Sequence, residues 1–142
     1  MTTLATFDDA WTRLDALVKR LDARQLAEIR DPAGWAAKDH LMHVAKWEQA
    51  LLASVDGRPR HQALGTEPST DGSEDYDAIN AAIFAATRDR ALPEVLETLR
   101  ATHATTRARA AAGDAALLKD LPGYVEHYDQ HRGWIEALVG VR

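Results

Sequence analysis

Two histidines near the carboxyl end of the chain are spaced for joint chemistry. His127 and His131 lie four residues apart, so on a helix both imidazoles occupy one face, which continues through Trp134. His43 stands four residues before Trp47 and is expected to point inward in the same way. Three imidazoles from two helices can hold a divalent metal ion and leave coordination positions open. A water or thiol in an open position loses its proton more easily.

The same spacing also fits histidines that only pack and hydrogen-bond in a helical core. The metalloprotease helix motif is excluded, because no glutamate follows His127. A di-iron carboxylate site is disfavoured, since Glu-x-x-His does not occur in the chain. Imidazole ligands suit zinc, nickel, iron and copper alike, so the pattern leaves the metal open. Because imidazole must be neutral to ligate, metal binding is expected to weaken below about pH 6.

The segments around these histidines have the apolar periodicity of amphipathic helices. Apolar residues recur at steps of three and four, which predicts four long helices and one short one. The predicted helices cover about 7–26, 36–55, 75–88, 93–112 and 120–140. Such a set predicts an all-α four-helix bundle with an additional short helix, folded as one domain over residues 1–142.

Capping residues predict where several of these helices begin. Thr6 and Asp9 have the spacing of a capping box, and Asp39 suits the first turn of the second helix. Pro122 is expected in the first turn of the last helix, where proline is tolerated. Residues 57–75 are rich in turn formers and are predicted to form a long irregular crossover that covers a site or crosses the bundle.

The composition narrows the class of protein. Ala and Leu outnumber Val and Ile by 43 to 11, which favours helices over sheets. The chain has 17 Lys and Arg against 22 Asp and Glu, a net charge of −5, so binding to nucleic acid or to an anionic membrane is not expected. The absence of cysteine excludes disulfides, metal sites with cysteine ligands and a cysteine nucleophile. With no signal peptide or membrane-spanning run evident, we expect a soluble cytoplasmic protein.

Two segments resemble the helix signatures of the DinB-like superfamily. The first segment resembles the second-helix signature and covers residues 34–48, Gly-Trp-Ala-Ala-Lys-Asp-His-Leu-Met-His-Val-Ala-Lys-Trp-Glu. The last-helix signature is resembled by residues 124–135, Tyr-Val-Glu-His-Tyr-Asp-Gln-His-Arg-Gly-Trp-Ile. Residues 76–84 and 92–96 are similar to the ClbS/DfsB-type branch, so the resemblance covers nearly the whole chain.

The resemblance implies a fold, a metal site and a type of reaction. Family members are four-helix bundles in up-down-down-up order, and many bind one divalent metal, commonly nickel, zinc or iron, through three histidines. In this chain the corresponding residues are His43, His127 and His131. Some relatives are transferases or isomerases that use a low-molecular-weight thiol, and homodimers are frequent. The resemblance therefore implies a metal-dependent thiol S-transferase or hydrolase that acts on an electrophilic small molecule.

Two other functions stay open at this point. ClbS-like members hydrolyse or sequester a reactive small molecule and need not use a metal, so the chain is alternatively a small-molecule binding protein. A scaffold that only dimerises would have neither a metal nor a ligand-sized cavity.

Four further side chains are candidates for lining a pocket beside the histidines: His40, Trp47, Tyr124 and Tyr128. His40 either touches the ligands or is a surface residue near the helix start. Trp47 either walls the pocket or packs in the core. The two tyrosine hydroxyls either donate to a substrate or are satisfied within the core. Glu48 and Glu126 either accept a proton or support the ligands, or they are solvated helix residues, and the solvated position is expected for both.

Overall fold

The computed structural model describes residues 2–67 and 75–141, and these fold into helices without a sheet. The helices are α1 (Thr3–Arg20), α2 (Ala23–Ala27), α3 (Ala37–Val55), α4 (Arg60–Leu64), α5 (Tyr76–Thr87), α6 (Leu92–Ala111) and α7 (Ala115–Val139). The four long helices α1, α3, α6 and α7 form the bundle. The all-α prediction is therefore confirmed.

The first helix begins earlier and ends sooner than its apolar pattern predicts. Thr2 caps α1, because its Oγ1 accepts a backbone N–H of the first turn at 3.1 Å. The predicted capping box at Thr6 is wrong, and the Thr6 hydroxyl donates to the carbonyl of Thr2. At the other end Asp22 and Gln25 form a reciprocal capping box that starts α2. This second cap divides the predicted helix over 7–26 into two.

The crossover after α3 contains a helix of its own. Short α4 lies inside the stretch that was expected to be irregular, and it ends at Gly65, whose φ of +73° suits glycine. Residues 68–74 of the predicted crossover lie outside the described residues. Asp75 then caps α5 by accepting the N–H of Ala78 at 3.1 Å.

The last helix starts about a turn and a half before its predicted position. Asp114 is the N-cap of α7 and accepts the N–H of Leu117 at 3.2 Å. Pro122 therefore lies inside the helix and not in its first turn, so the predicted start near Asp120 is wrong. Proline inside a helix costs about 3 kcal/mol. The helix continues because it packs in the core on both sides of the proline, as the burial of Leu121 and Val125 shows.

Side-chain contacts give the direction of each long helix. Early residues of α3 meet late residues of α7, so these helices are antiparallel, whereas α3 and α6 run in parallel. The contacts are His40 with His131, Trp47 with Tyr124, Gln49 with Thr102, and Asp56 with Arg109.

Helix α1 completes the order of the bundle. Its ion pairs with α6 join Asp8 to Arg107 and Asp15 to Arg100, so α1 and α6 are antiparallel. Since α6 is parallel to α3 and α7 is antiparallel to α3, the four long helices run up, down, down and up. The parallel pair α3 and α6 is joined by the crossover that holds α4 and α5.

Two groups of buried apolar side chains hold these helices together. The larger group fills the bundle and includes Phe7, Leu14, Leu41, Leu117 and Ile135. The smaller group packs α4 and α5 onto α3 and consists of Trp47, Ala50, Leu64 and Ile83. Among the described residues, no helix is both long enough and apolar enough to cross a membrane.

Candidate metal centre and its pocket

Helices α3 and α7 carry the three predicted ligands to one place. His43 on α3 faces His127 and His131 on α7, and one ring nitrogen of each lies within 4.8 Å of the others. The ring centres are 5.2 Å apart for His43 and His127, and 4.6 Å apart for the other two pairs. Because α3 and α7 are antiparallel, one residue of α3 can meet two successive turns of α7.

Burial keeps these imidazoles neutral. His43 and His131 are buried and His127 is half-buried. Loss of hydration lowers the pKa of His43 to about 3 and that of His127 to about 4. Burial also lowers the pKa of His131 well below the usual value, and the neighbouring imidazoles add to the effect. The neutral form is the one that binds a metal.

One nitrogen of this cluster lacks a partner. His43 Nδ1 is buried and forms no hydrogen bond with any described residue. Leaving a buried polar atom unpaired costs about 1–3 kcal/mol. A metal ion beside three neutral imidazoles would satisfy such a lone pair, and nitrogen ligands suit zinc, nickel and iron. The donor set therefore fits a divalent metal ion.

His40 joins the cluster from one turn earlier on α3. Its Nδ1 lies 3.0 Å from Nδ1 of His131, and its ring is 5.1 Å from the ring of Trp35. His40 is buried, so the interpretation of this residue as a surface histidine is wrong. Its position makes it a hydrogen-bonding neighbour of a candidate ligand.

The histidines form the floor of an aromatic-walled pocket of about 580 Å³. This volume suits a small organic molecule. The aromatic walls are Trp35, Trp47, Tyr76, Tyr124 and Trp134. Polar side chains in the lining include Asp31, Asn80, Glu126 and Gln130.

A tight turn before α3 positions Trp35 in the pocket wall. Asp31 Oδ1 accepts the N–H groups of Ala33 and Trp35, each at 2.9 Å. Gly34 adopts a φ of +93° in this turn, a conformation that residues with a side chain rarely adopt. The Trp35 ring then stacks on Phe84 of α5, with ring centres 5.1 Å apart. The backbone turn and the Phe84 ring therefore both hold Trp35 in position.

Trp47 and Tyr124 belong to the pocket lining, but their polar atoms are already bonded. Trp47 Nε1 donates to Asn80 Oδ1 at 2.9 Å, and the Tyr124 hydroxyl donates to the Trp47 carbonyl at 2.9 Å. Burial raises the pKa of Tyr124 to about 12. Its hydroxyl is thus engaged with the backbone, so a role as proton donor to a substrate is not favoured.

Tyr128 does not line the pocket, and that expectation is corrected. Although it follows His127 in sequence, its side chain points into the bundle, where it is fully buried. Its hydroxyl donates to Glu48 Oε1 and lies 3.0 Å from His103 Nδ1. Glu48 is 1% exposed, so the expectation of a solvated glutamate is also wrong.

The buried group around Tyr128 includes residues that the sequence reasoning missed. Thr106 on α6 lies within hydrogen-bond distance of Glu48, and the His103 ring stacks on Trp11 with centres 3.8 Å apart. A signal for this burial is present in α6, because His103 and Thr106 continue the spacing set by Val95 and Leu99. Polar residues that continue an apolar stripe face the core and need partners there.

Comparison with known proteins identifies one family. A family model described as the DinB superfamily matches residues 6–135 of the chain. This range contains all three candidate ligands. It also covers the four long helices, apart from the first residues of α1 and the last residues of α7. No curated protein and no solved structure shows significant similarity to the chain.

Proposed function

The chain belongs to the DinB superfamily, and we propose that it binds one divalent metal ion through His43, His127 and His131. The observation that carries the proposal is the convergence of three imidazoles with ring nitrogens within 4.8 Å of one another. Their burial and the unpaired Nδ1 of His43 support it. Zinc, nickel and iron are the candidate metals.

We further propose that the site serves a metal-dependent thiol S-transferase or hydrolase that acts on an electrophilic small molecule. The chemistry that such an ion supplies is a lowered pKa for a water or low-molecular-weight thiol next to it. The chain supplies the surroundings. The three histidines stay neutral, Trp35 and Trp47 form apolar walls beside them, and Asn80 fixes the Trp47 ring.

A second function is favoured by the pocket itself. A cavity of about 580 Å³ with aromatic walls can hold a small molecule by packing alone. A binding or sequestering protein without metal chemistry would need this pocket but not the three histidines. The two functions are separated by whether the protein carries stoichiometric metal.

The deciding experiment is elemental analysis of tag-free protein purified without chelator and then supplied with zinc or nickel. We expect one metal ion per chain in the parent protein and none in His127→Ala or His131→Ala. His61→Ala is the matched control, because His61 lies on α4 outside the cluster. It should bind metal like the parent.

Circular dichroism of the same samples separates loss of a ligand from loss of the fold. The ligand variants should keep the helical signal of the parent, since each change removes a polar group from a pocket surface. Full metal occupancy in either variant would show that these histidines are not the ligands. Absence of metal from every sample would favour the binding protein.

A further inference from the structure

Two large aromatic side chains are strongly exposed in the described part of the chain, and both lie at the pocket. Tyr76 is 54% exposed and Trp134 is 48% exposed, and both belong to the pocket lining. The other large apolar side chains of the described ranges are covered to a greater extent. Exposed aromatic surface concentrated at one opening marks a place where a ligand packs.

These two rings extend an aromatic surface that reaches the histidines. Trp134 meets His131 edge to face, with ring centres 4.8 Å apart. Tyr76 lies 5.8 Å from the Trp47 ring, which in turn lies 6.4 Å from His43. A flat ring packed on these walls would therefore lie close to the candidate ligands. Flat aromatic ligands gain most from such walls, because stacking adds about 0.5–1.5 kcal/mol per ring pair.

The charged side chains in the described lining are carboxylates. Asp31 and Glu126 contribute carboxylates, and the described lining contains no lysine or arginine. Glu126 is exposed and lies in the lining. Arg60 is not in the lining, but its guanidinium lies 5.8 Å from the centre of the Trp47 ring and places one positive charge near that wall. Residues 68–74 contain neither lysine nor arginine.

From these walls and charges we propose that the pocket takes a planar aromatic small molecule that is cationic or neutral. The ring packs against Trp134 and Tyr76, and a positive group on it lies toward Glu126. Cation–π attraction to the same walls adds to this preference. As the class of electrophilic substrate, this inference rests on the function proposed above. The preference for flat rings is a property of the walls, whereas the preference for a cation over an anion is stated for the metal-free protein, because a bound divalent ion would add positive charge to the pocket.

The test measures binding of four probes to chelator-treated protein by titration calorimetry. The probes are trimethyl(2-naphthylmethyl)ammonium, 2-naphthalenemethanol, 2-naphthoate and trimethyl(cyclohexylmethyl)ammonium. The quaternary cations cannot ligate a metal, so residual metal does not confuse them. We expect the naphthyl cation to bind tightest, and the naphthoate and the cyclohexyl cation each to bind at least about tenfold more weakly.

Variants assign the preference to residues. Trp134→Ala should weaken all three naphthyl probes, whereas Trp134→Phe, which keeps a ring, should retain most of the affinity. Glu126→Gln should lower the ratio of cation to neutral affinity without affecting the neutral probe. Glu97→Gln is the charge-matched control, because Glu97 is exposed on α6 and is not in the lining. It should leave the ratio unchanged.

Three results would overturn the inference: equal or tighter binding of naphthoate, equal binding of the cyclohexyl cation, or no binding of any naphthyl probe. The metal content of the same protein, measured before chelation, decides the proposed function separately. Probe binding without a metal site leaves the pocket preference intact and removes the metal chemistry. A metal site without probe binding would leave the metal chemistry intact and would overturn the pocket preference.

Discussion

The contact between His40 and His131 determines which nitrogen of His131 is able to bind a metal. Their Nδ1 atoms are 3.0 Å apart, and with both rings neutral one of them must donate. If His40 donates, His131 keeps its proton on Nε2 and has no lone pair left for a metal. If His131 donates, its Nε2 is free to ligate. Metal binding therefore requires His40 to be the acceptor.

Substitution of His40 tests this positioning role without removing a ligand. His40→Leu should lower metal affinity by about 10- to 100-fold, because the acceptor that fixes the ligating tautomer of His131 is lost. His40→Asn should recover most of that affinity, since its Oδ1 can accept the same proton. Competition with a coloured chelator measures both, and stoichiometry should stay at one metal per chain. Unchanged affinity in His40→Leu would show that His40 does not position His131.

At the scale of single residues, the sequence predicts which residues lie close together more reliably than it predicts which hydrogen bonds they form. The spacing of His127 and His131 and the inward face of His43 predict inward-pointing imidazoles, and the family resemblance predicts that the three come together. The bond from Tyr124 to a backbone carbonyl and the inward turn of Tyr128 depend on the rotation of α7 against α3. That rotation is set by tertiary packing, which no single helical pattern contains.

At the scale of the helices, Asp39 joins the start of α3 to the turn that carries Trp35. Its Oδ2 accepts the N–H of Ala36 at 2.8 Å and lies 3.4 Å from Nη1 of Arg30. Ala36 is fully buried. If the Asp39 carboxylate were removed, water could not reach the Ala36 N–H to accept its hydrogen bond. Arg30 also donates to the Gly34 carbonyl at 2.7 Å, which ties the turn to the helix.

Removal of the Asp39 carboxylate should therefore destabilise the protein. We expect Asp39→Ala to lower the free energy of unfolding by about 1–3 kcal/mol, because a buried N–H is left unpaired. Urea unfolding followed by circular dichroism measures the change. Asp77→Ala is the matched control in the first turn of α5, where the aspartate is exposed, and it should change stability by no more than about 0.5 kcal/mol. Equal effects of the two substitutions would contradict the bridging role of Asp39.

Helix existence follows from apolar periodicity, but two boundaries depend on competing signals. The pattern of α1 continues past Arg20, yet the capping box at Asp22 ends it, because a reciprocal pair of bonds starts a new helix there. Pro122 suggests a late start for α7, yet Asp114 caps the helix after Gly113, whose φ is +86°. In both cases an aspartate cap was the stronger signal.

At the scale of the whole molecule, Glu48 connects three helices of the bundle. Its Oε1 accepts from the Tyr128 hydroxyl of α7, and its Oε2 lies 2.9 Å from Thr106 Oγ1 of α6. The Thr106 hydroxyl also lies 3.0 Å from the Thr102 carbonyl, and its single proton can serve only one of these acceptors. If Glu48 is protonated, it donates to Thr106, which donates to Thr102. Every group is then satisfied.

Burial favours this protonated form. Loss of hydration raises the pKa of Glu48 to about 7, against an ordinary value of 4.5, although the hydrogen bonds from Tyr128 and Thr106 oppose the shift. Between these pH values the folded protein binds more protons at Glu48 than the unfolded chain does. The contribution of Glu48 to the free energy of unfolding must therefore fall as pH rises from 4.5 through 7. His103, whose pKa burial lowers to about 4, contributes in the opposite direction.

Glu48→Gln separates the two contributions, because its amide can make the same bonds to Tyr128 and Thr106 without a charge. Relative to the parent, the variant should gain on the order of 1–3 kcal/mol of unfolding free energy between pH 5 and pH 8. His103 and the other histidines titrate in both proteins, so their contributions cancel in the difference. Urea unfolding at several pH values measures it, with the exposed Glu97→Gln as control. A difference that stays constant with pH would show that Glu48 does not change protonation in this range, and that the bundle tolerates a buried carboxylate anion between α3, α6 and α7.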